Sequence, residues 1–389
     1  VVLSAKTMRL LSRLAAPLAL TTTSSLYFIS SVAPVSGFLR SSVTGSSFSR
    51  PSARASFLRM TSTDVIPGRP TWQQTMLRIK DPAKTLPFYT DLLGFTLIDK
   101  FDFPQWGFSL YFLTTLPQGE TYDLTPGTKE AHDYLWTMEG VALELTHNHG
   151  TETDADFSYH AGNKEKDGFG HVAVNVDDVY AVSDKLEKAG CDFQKKPDEG
   201  RMKGLAFVKD PDGYWVELVA RGTPGKIANE CNFSQTMMRV KDPKKSLEFY
   251  KKLGMKLLVE KHFDSFSLYF LGSSAVPDDA NPKEMFQPCL ELTHNHGTET
   301  DDDFKHFSGN EEERKGFGHI GFLVDDVYKA CDEIGKMGYG FKKEPDGGTM
   351  KGLAFAYDPD GYWIEIVPRG GLDFGDVKAG EEAKSAESA

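Results

Sequence analysis

The chain has 389 residues and a formal net charge of -12, a length sufficient for about two domains with a sizeable core. The acidic balance argues against nucleic acid or an anionic membrane surface as the main partner, and no run of about 20 apolar residues predicts a membrane-spanning helix. Four widely spaced cysteines without a CxxC pair are expected to be reduced thiols rather than a disulfide framework.

The N-terminal segment has the composition of an organelle presequence. Residues 1–63 contain seven basic residues, abundant serine and no acidic residue. Met8 begins a basic segment, and a site of small residues before Phe38 resembles the bipartite plastid presequences of algae with secondary plastids. We therefore expect plastid targeting, with a mitochondrial presequence, or a cytosolic form starting at Met60, as alternatives.

From Thr71 onward the sequence repeats itself. QTMLRIKDP at 74–82 returns as QTMMRVKDP at 235–243, LELTHNHGTETD at 143–154 returns unchanged at 290–301, and GFGH occurs at 168–171 and 316–319. This self-similarity predicts two homologous domains joined by a short linker, 71–222 and 232–370. The segment 371–389, rich in Ala, Glu, Lys and Ser, has little to bury and is expected to be disordered.

Each domain also divides into two βαβββ units, which predicts an α+β fold of four units in two tandem domains. In the first unit a strand at 74–79 precedes a helix that Pro87 is expected to kink or shorten. A longer loop is expected at 114–136 of the first domain. The stretches 202–219 and 350–367 each predict two strands joined by a tight Asp-Pro-Asp-Gly turn, because Pro presets φ and Gly tolerates the left-handed exit.

Every unit places one ligand-type side chain on its first strand and a glutamate on its fourth. An ionised carboxylate on a strand face shared with apolar residues is costly without a partner, and a metal ion would supply one. Two units together offer two carboxylates, an amide oxygen and an imidazole nitrogen, a set suited to a hard or borderline divalent ion with room for water. The eight candidate ligands are Gln74, Glu144, His171, Glu217, Gln235, Glu291, His319 and Glu365.

These motifs together resemble the glyoxalase I (lactoylglutathione lyase) family of the vicinal oxygen chelate superfamily, in its two-domain single-chain form. The resemblance covers residues 72–369 through QTMxRxKDP, LELTHN, GFGH and MKGLAFxxDPDGYWxE. It implies a metal between facing units and conversion of the methylglyoxal–glutathione hemithioacetal to S-lactoylglutathione through an enediolate. Gln at the first ligand position resembles the zinc-using branch of the family, with nickel or cobalt as alternatives.

The resemblance also implies how the ligands pair. It places the Gln and Glu of one domain opposite the His and Glu of the other, so that a monomer would hold two active sites between its domains. A carboxylate can remove a proton next to a carbonyl only if the developing enediolate is stabilised, as a divalent ion would do. Glu365 and Glu217 are expected to act as bases. Glu144 and Glu291 are expected to act on the opposite face of the substrate. The expected sites are Gln74, Glu144, His319 and Glu365, and His171, Glu217, Gln235 and Glu291.

The two carboxylates of glutathione call for cationic or amide contacts. By resemblance, the γ-glutamyl end is held by Arg78 and Asn148 in one site and by Arg239 and Asn295 in the other. Lys195 and Lys343 are expected at the glycine end. Histidines 147, 149, 294 and 296 are expected to be loop residues beyond the strands rather than ligands.

A further difference between the domains predicts unequal sites. The family has a basic residue immediately before GFGH that helps to bind the glycine carboxylate of glutathione. Lys315 fills this position in the second domain, whereas Asp167 fills it in the first. Because an anion there would repel glutathione, the site with His319 and Glu365 is expected to carry most turnover.

Two other functions are found in the same superfamily: iron extradiol dioxygenases and non-catalytic binding proteins. An extradiol dioxygenase would require two histidines and one carboxylate, but Gln occupies the first ligand position of each expected site. A binding protein is disfavoured because neither domain has lost a ligand.

The presequence can be tested with a reporter. Residues 1–63 fused to a fluorescent protein should direct it to the plastid of an alga with a secondary plastid, whereas the protein starting at Met60 should stay cytosolic. Co-localisation with a mitochondrial dye would instead support the mitochondrial alternative.

Overall fold

The computed structural model describes residues 65–225 and 227–372. The predicted presequence and all of the predicted tail beyond residue 372 lie outside these residues. No helix within the described ranges is long and apolar enough to cross a lipid bilayer.

The first repeat contains the two expected units. The first unit begins with a long strand and a broken helix, and its longer loop includes a short helix. Its elements are β1 (Thr71–Ile79), α1 (Pro82–Pro87), a π-helix (Phe88–Leu92), β2 (Thr96–Phe103), β3 (Phe108–Thr114), α2 (Lys129–Leu135) and β4 (Ala142–Asn148). The second unit comprises β5 (Phe169–Val176), α3 (Val179–Lys188), β6 (Phe193–Lys195), β7 (Leu205–Lys209) and β8 (Trp215–Ala220).

The second repeat has the same order of elements without the helix in the loop. Its first unit comprises β9 (Asn232–Arg239), α4 (Pro243–Lys252), β10 (Met255–His262), β11 (Phe266–Ser273) and β12 (Cys289–Asn295). Its second unit comprises β13 (Phe317–Val324), α5 (Val327–Lys336), β14 (Phe341–Lys343), β15 (Ala354–Tyr357) and β16 (Trp363–Pro368). The predicted α+β architecture of four βαβββ units is confirmed.

The four units form two eight-stranded sheets, and each sheet takes one unit from each repeat. The first sheet has the order β14-β15-β16-β13-β1-β4-β3-β2, and the second has the order β10-β11-β12-β9-β5-β8-β7-β6. At the centre of each sheet the first strands of two units pair antiparallel, β1 with β13 and β5 with β9. The two halves of one repeat therefore lie in different sheets.

Side-chain alternation along the central strands separates a core face from a ligand face. On β1, Leu77 and Ile79 belong to a hydrophobic core that includes residues of both sheets. Thr75 contacts Thr236 of the other sheet, with 2.7 Å between their hydroxyl oxygens. Gln74, one position away, points to the opposite face, where the other candidate ligands lie.

Pro87 has the expected effect on the first helix. The α-helix ends at Pro87 and continues as a five-residue π-helix, because proline lacks the N–H that the α-helical pattern requires. In the second repeat Glu248 occupies the equivalent position, and α4 runs without interruption for 10 residues.

The Asp-Pro-Asp-Gly turns form as predicted and also join the two sheets. The second turn closes with a hydrogen bond of 3.1 Å from the Gly361 amide to the Asp358 carbonyl, and Gly361 has φ 88°. Asp358 Oδ1 accepts from the amides of Asp360 and Tyr362, both at 2.9 Å. Its Oδ2 accepts at 2.8 Å from the hydroxyl of Tyr250 on α4, a helix of the unit that forms part of the other sheet.

The first glycine of each GFGH motif permits close contact between the repeats. A Cβ at Gly168 would lie 1.7 Å from the hydroxyl oxygen of Tyr362, and one at Gly316 would lie 1.9 Å from the carbonyl of His160. Next to them, the rings of Phe169 and Phe317 stack with centroids 4.9 Å apart. These positions therefore require glycine for packing, not for catalysis.

The turn contacts make a prediction about stability. Asp358→Ala should lower the free energy of unfolding by about 2–4 kcal/mol, because two buried amides and a buried hydroxyl lose their acceptor. Asp358→Asn should cost less, since its amide oxygen can still accept from the two backbone donors. Urea unfolding of the two variants at one pH checks this, and equal losses would contradict it.

Candidate metal centres

The first centre brings together one side chain from each of four adjacent strands. Gln74 lies on β1, Glu144 on β4, His319 on β13 and Glu365 on β16. Gln74 Nε2 lies 2.6 Å from Glu144 Oε2 and 2.7 Å from Glu365 Oε2. His319 Nε2 lies 3.3 Å and 3.2 Å from the same two oxygens. All four side chains are buried.

The second centre repeats this arrangement in the other sheet. Gln235 Nε2 lies 2.8 Å from Glu217 Oε2 and 2.6 Å from Glu291 Oε2. His171 Nε2 lies 3.3 Å from the oxygen of Glu217 and 3.8 Å from that of Glu291. The structure thus brings together both of the four-residue sets inferred from the sequence.

The donor atoms of both centres suit a divalent cation. In the first centre Gln74 Oε1 is buried without a hydrogen-bond partner. Because amide oxygen and nitrogen are assigned from their surroundings, a flip of this amide would turn Oε1 toward the two carboxylates and the imidazole. In the second centre Glu217 Oε1 and Glu291 Oε1 are likewise buried without a partner. With the amide of Gln235 turned in the same way, each set would present three oxygen ligands and one nitrogen ligand.

The pKa values of the buried groups in the two centres also indicate sites for a cation. Burial lowers the pKa of His319, but Glu365 and Glu144 outweigh burial, and the pKa rises to about 9. In the second centre burial raises the pKa of Glu291, while the neighbouring His171 opposes the rise. Both shifts favour the protonated form of the group, and a divalent ion would displace such a proton on binding.

The two predicted substrate arginines lie beside the GFGH segments of the opposite repeat. Arg78 is four residues beyond Gln74, and its Nη1 donates to the carbonyl of Phe317 at 3.2 Å. Its Nη2 donates to Asn310 Oδ1 at 2.8 Å. Arg239 makes the equivalent contacts, to Phe169 at 3.2 Å and Asn163 at 2.9 Å. These contacts hold each guanidinium against the backbone two residues before a candidate ligand histidine.

The surroundings of the two predicted asparagines differ. Asn148 Nδ2 donates to the hydroxyl of Tyr159 at 2.7 Å. In the second repeat the residue equivalent to Tyr159 is His306, which is buried and has no hydrogen-bond partner on either ring nitrogen. Burial, followed by the charge of Arg239, lowers the pKa of His306 to about 4, so the ring is neutral at pH 7. Asn295 therefore has no tyrosine hydroxyl at the corresponding position.

Of the three predicted lysines, Lys195 and Lys343 are half-buried and Lys315 is exposed. Lys343 donates to the carbonyl of Leu353 at 2.6 Å, and Lys195 makes the same contact with Leu205. Burial lowers the pKa of both lysines. Lys315 pairs with Glu312 at 2.8 Å on the surface.

Asp167 does not present a free negative charge, in contrast to the expectation from the sequence. Its side chain is buried and lies 2.9 Å from the guanidinium of Arg314 and 2.6 Å from Nε2 of His160. It also accepts from the amide of Lys164 at 2.7 Å. Because Arg314 compensates its charge, Asp167 gives no reason to expect repulsion of an anionic substrate.

The expectation that all four histidines of the THNH segments lie in loops is wrong for two of them. His147 and His294 belong to β4 and β12, where they are buried and contact Glu152 at 2.8 Å and Glu299 at 2.7 Å. Neither belongs to a metal-ligand cluster among the described residues. His149 and His296 follow the strands, as expected.

Sequence reasoning did not find the wall of the first centre. A cleft adjoins Gln74, Glu144 and Glu365. Its apolar lining includes Phe101, Phe103, Leu110, Phe112, Trp136 and Leu353. A position-by-position comparison of the two repeats could have identified this wall, because two of its four aromatic residues, Phe101 and Trp136, are not repeated.

Comparison with known proteins identifies the family. The sequence model of the Glyoxalase/Bleomycin resistance protein/Dioxygenase superfamily matches residues 71–218 and 232–366. Glyoxalase I of Saccharomyces cerevisiae is 43% identical over 312 residues, covering 76% of this chain and 91% of the yeast protein. The chain belongs to the glyoxalase I family.

Two further relatives agree with this assignment. Lactoylglutathione lyase of Schizosaccharomyces pombe is 42% identical and covers 75% of this chain and 94% of its own length. The crystal structure of glyoxalase I from Zea mays matches with a TM-score of 0.56 at 26% identity, over 77% of this chain and 92% of the maize chain. The resemblance inferred from the motifs is therefore confirmed.

Because each centre takes two ligands from each repeat, a single repeat lacks a complete set. Residues 65–225 expressed alone should bind no stoichiometric metal as a monomer, and any tightly bound metal should elute with a dimer. Size-exclusion chromatography with metal analysis of the fractions checks this. A monomer carrying about one tightly bound ion would contradict the pairing.

Proposed function

We propose that the chain is a metal-dependent lactoylglutathione lyase that converts the hemithioacetal of methylglyoxal and glutathione to S-lactoylglutathione. The observation that carries the proposal is the convergence of a buried Gln, Glu, His and Glu in each sheet. The names of the relatives in the glyoxalase I family support the same reaction and the same thiol.

We propose zinc as the ion, held by Gln74, Glu144, His319 and Glu365 in the first centre and by the equivalent residues in the second. Three oxygen ligands with one imidazole suit a borderline divalent ion, and the absence of thiolate from the sets leaves nickel or cobalt as alternatives. When bound, the ion would stabilise negative charge on the substrate oxygens as the proton leaves carbon.

The glutamates of each centre would transfer the proton. In the first centre Glu144 Oε1 accepts from the hydroxyl of Thr146 at 3.2 Å, which holds that carboxylate in place. Both carboxylates border the cleft, but the side chain of Glu365 is 11% exposed, against 4% for Glu144. Glu365 is therefore the better placed to take the proton from one substrate carbon and return it to the next. Glu217 has the equivalent role in the second centre, opposite Glu291.

Glutathione would be bound by the cationic and amide groups around each centre. Arg78 and Asn148 in one site, and Arg239 and Asn295 in the other, are our candidates for the γ-glutamyl end. Lys195 and Lys343 are candidates for the glycine end, with Lys315 near the first site. Since both sites are complete within one chain, we propose that the monomer is active, and we retain the plastid as its proposed location.

The alternative functions receive less support. Each centre contains one histidine rather than the two that an iron extradiol dioxygenase would use. A purely binding function would not require both ligand sets to be complete.

The proposal predicts activity and metal content together. The purified chain should contain about two divalent ions and form the thioester from methylglyoxal and glutathione, and a chelator should abolish the reaction. The double variants Glu144→Gln/Glu365→Gln and Glu217→Gln/Glu291→Gln should each lose about one ion, because an amide is a weaker ligand than a carboxylate. Glu130→Gln, an exposed change on α2, is the matched control. A metal-loaded chain without thioester formation would refute the proposed reaction.

A further inference from the structure

The two centres have the same ligands but different walls at two equivalent positions. On β2, Phe101 pairs across the sheet with Leu110, and on β10 Lys261 pairs with Leu268. Because FSLYFL occurs in both β3 and β11, these two leucines are equivalent, and so are Phe101 and Lys261. A lysine thus stands in the second site where the first has an aromatic ring.

At the second of these positions a lysine again replaces an aromatic residue. The amide of Gly370 donates to the carbonyl of Trp136 at 3.1 Å. In the same way, the amide of Gly222 donates to the carbonyl of Lys283 at 2.9 Å. The two glycines are equivalent, since each follows the glutamate of its last strand by five residues. Trp136 in the first site therefore corresponds to Lys283 in the second.

In the first site the aromatic pair forms part of the cleft. Phe101 and Trp136 lie with ring centroids 6.2 Å apart, and both line the cleft that reaches Glu144 and Glu365. Phe112, which pairs across the sheet with Glu144, packs against both rings. A ligand held at this centre meets an apolar, aromatic surface.

In the second site a lysine takes the place of the ring that packs against this phenylalanine. Lys261 Nζ lies 5.4 Å from the ring centroid of Phe270, and Phe270 pairs across the sheet with the candidate ligand Glu291. Burial, followed by the charge of Lys261, lowers the pKa of Lys283, and the charge of Glu217 opposes this shift. Both lysines are half-buried, and neither ammonium group makes a hydrogen bond or ion pair with another described residue.

We propose that the second centre prefers 2-oxoaldehyde adducts whose acyl substituent carries a carboxylate, whereas the first prefers apolar or aromatic substituents. A half-buried ammonium group without an acceptor is stabilised by an anionic partner, and an aromatic wall is stabilised by covering it with an apolar group. The inference rests on the proposed lyase function, because it assigns substrate classes to its two sites.

The test separates the centres and varies only the aldehyde. The variant Glu217→Gln/Glu291→Gln disables the second centre and keeps the first intact. The variant Glu144→Gln/Glu365→Gln disables the first centre and keeps the second intact. Each enzyme is assayed with the glutathione adducts of methylglyoxal, phenylglyoxal and 4-carboxyphenylglyoxal. The ratio of kcat/KM for the carboxyphenyl adduct to that for the phenyl adduct should be at least about tenfold higher for the second centre. Equal ratios would overturn the inference, while loss of methylglyoxal turnover from both enzymes would instead refute the proposed function.

Charge removal then tests the two lysines directly. Adding Lys261→Met and Lys283→Met to the enzyme with only the second centre should bring its ratio down to that of the first centre. Lys244→Met/Lys245→Met, a pair of exposed changes on α4, removes the same number of charges and is the control. If the double lysine variant does not fold, the salt dependence of the ratio replaces it, since screening should lower the ratio only for the second centre.

A carboxylate could also come from the thiol rather than from the aldehyde. Repeating the assays with the glycine ethyl ester of glutathione distinguishes these sources. If the lysine variant changes KM for all three adducts alike, and the change disappears with the ester, the lysines bind glutathione and the inference is overturned. An effect confined to the carboxyphenyl adduct with both thiols supports it.

Discussion

The antiparallel pairing of β1 with β13, and of β5 with β9, determines the rest of the molecule. It places the first half of one repeat and the second half of the other in a single sheet. The four central strands of each sheet then carry one candidate ligand apiece on the same face. The glycines of the GFGH motifs and the Asp-Pro-Asp-Gly turns hold the two sheets together, because they allow contacts that a larger or less polar residue would prevent. Both centres thus depend on correct packing between the repeats.

Burial of charge has two different consequences in this protein. Burial raises the pKa of Asp358 to about 8, although its carboxylate accepts from two backbone amides and from the hydroxyl of Tyr250. Its acceptors are satisfied, so its role is structural. The carboxylates of Glu217 and Glu291 are also buried but converge on one point, and each keeps an oxygen without a partner. A metal centre is therefore distinguished from a structural turn by buried carboxylates that meet at one point and lack hydrogen-bond partners. Burial or a shifted pKa alone does not distinguish them.

The two centres share their reactive groups and differ in their surroundings. Identical ligand sets imply the same chemistry, because the position and charge of the donors decide which ion binds and which proton moves. The walls are free to differ, since they contact the substrate outside the reacting atoms. Phe101 and Trp136 on one side, and Lys261 and Lys283 on the other, are such a difference. With two centres of this kind, the chain would process the two proposed classes of adduct by the same reaction.

The sequence alone determined the features that depend on neighbouring residues. The repeats, the eight candidate ligands, the turns and the effect of Pro87 follow from local patterns, and the motifs were specific enough to indicate the family. Tertiary structure decided the contacts between distant residues. The pairing of Asp167 with Arg314 joins positions 147 residues apart. The positions of His147 and His294 on strands, and the walls around each centre, likewise depend on strand register and on how the two sheets pack. No local pattern encodes these contacts, because each side chain meets its partner only after the sheets have formed.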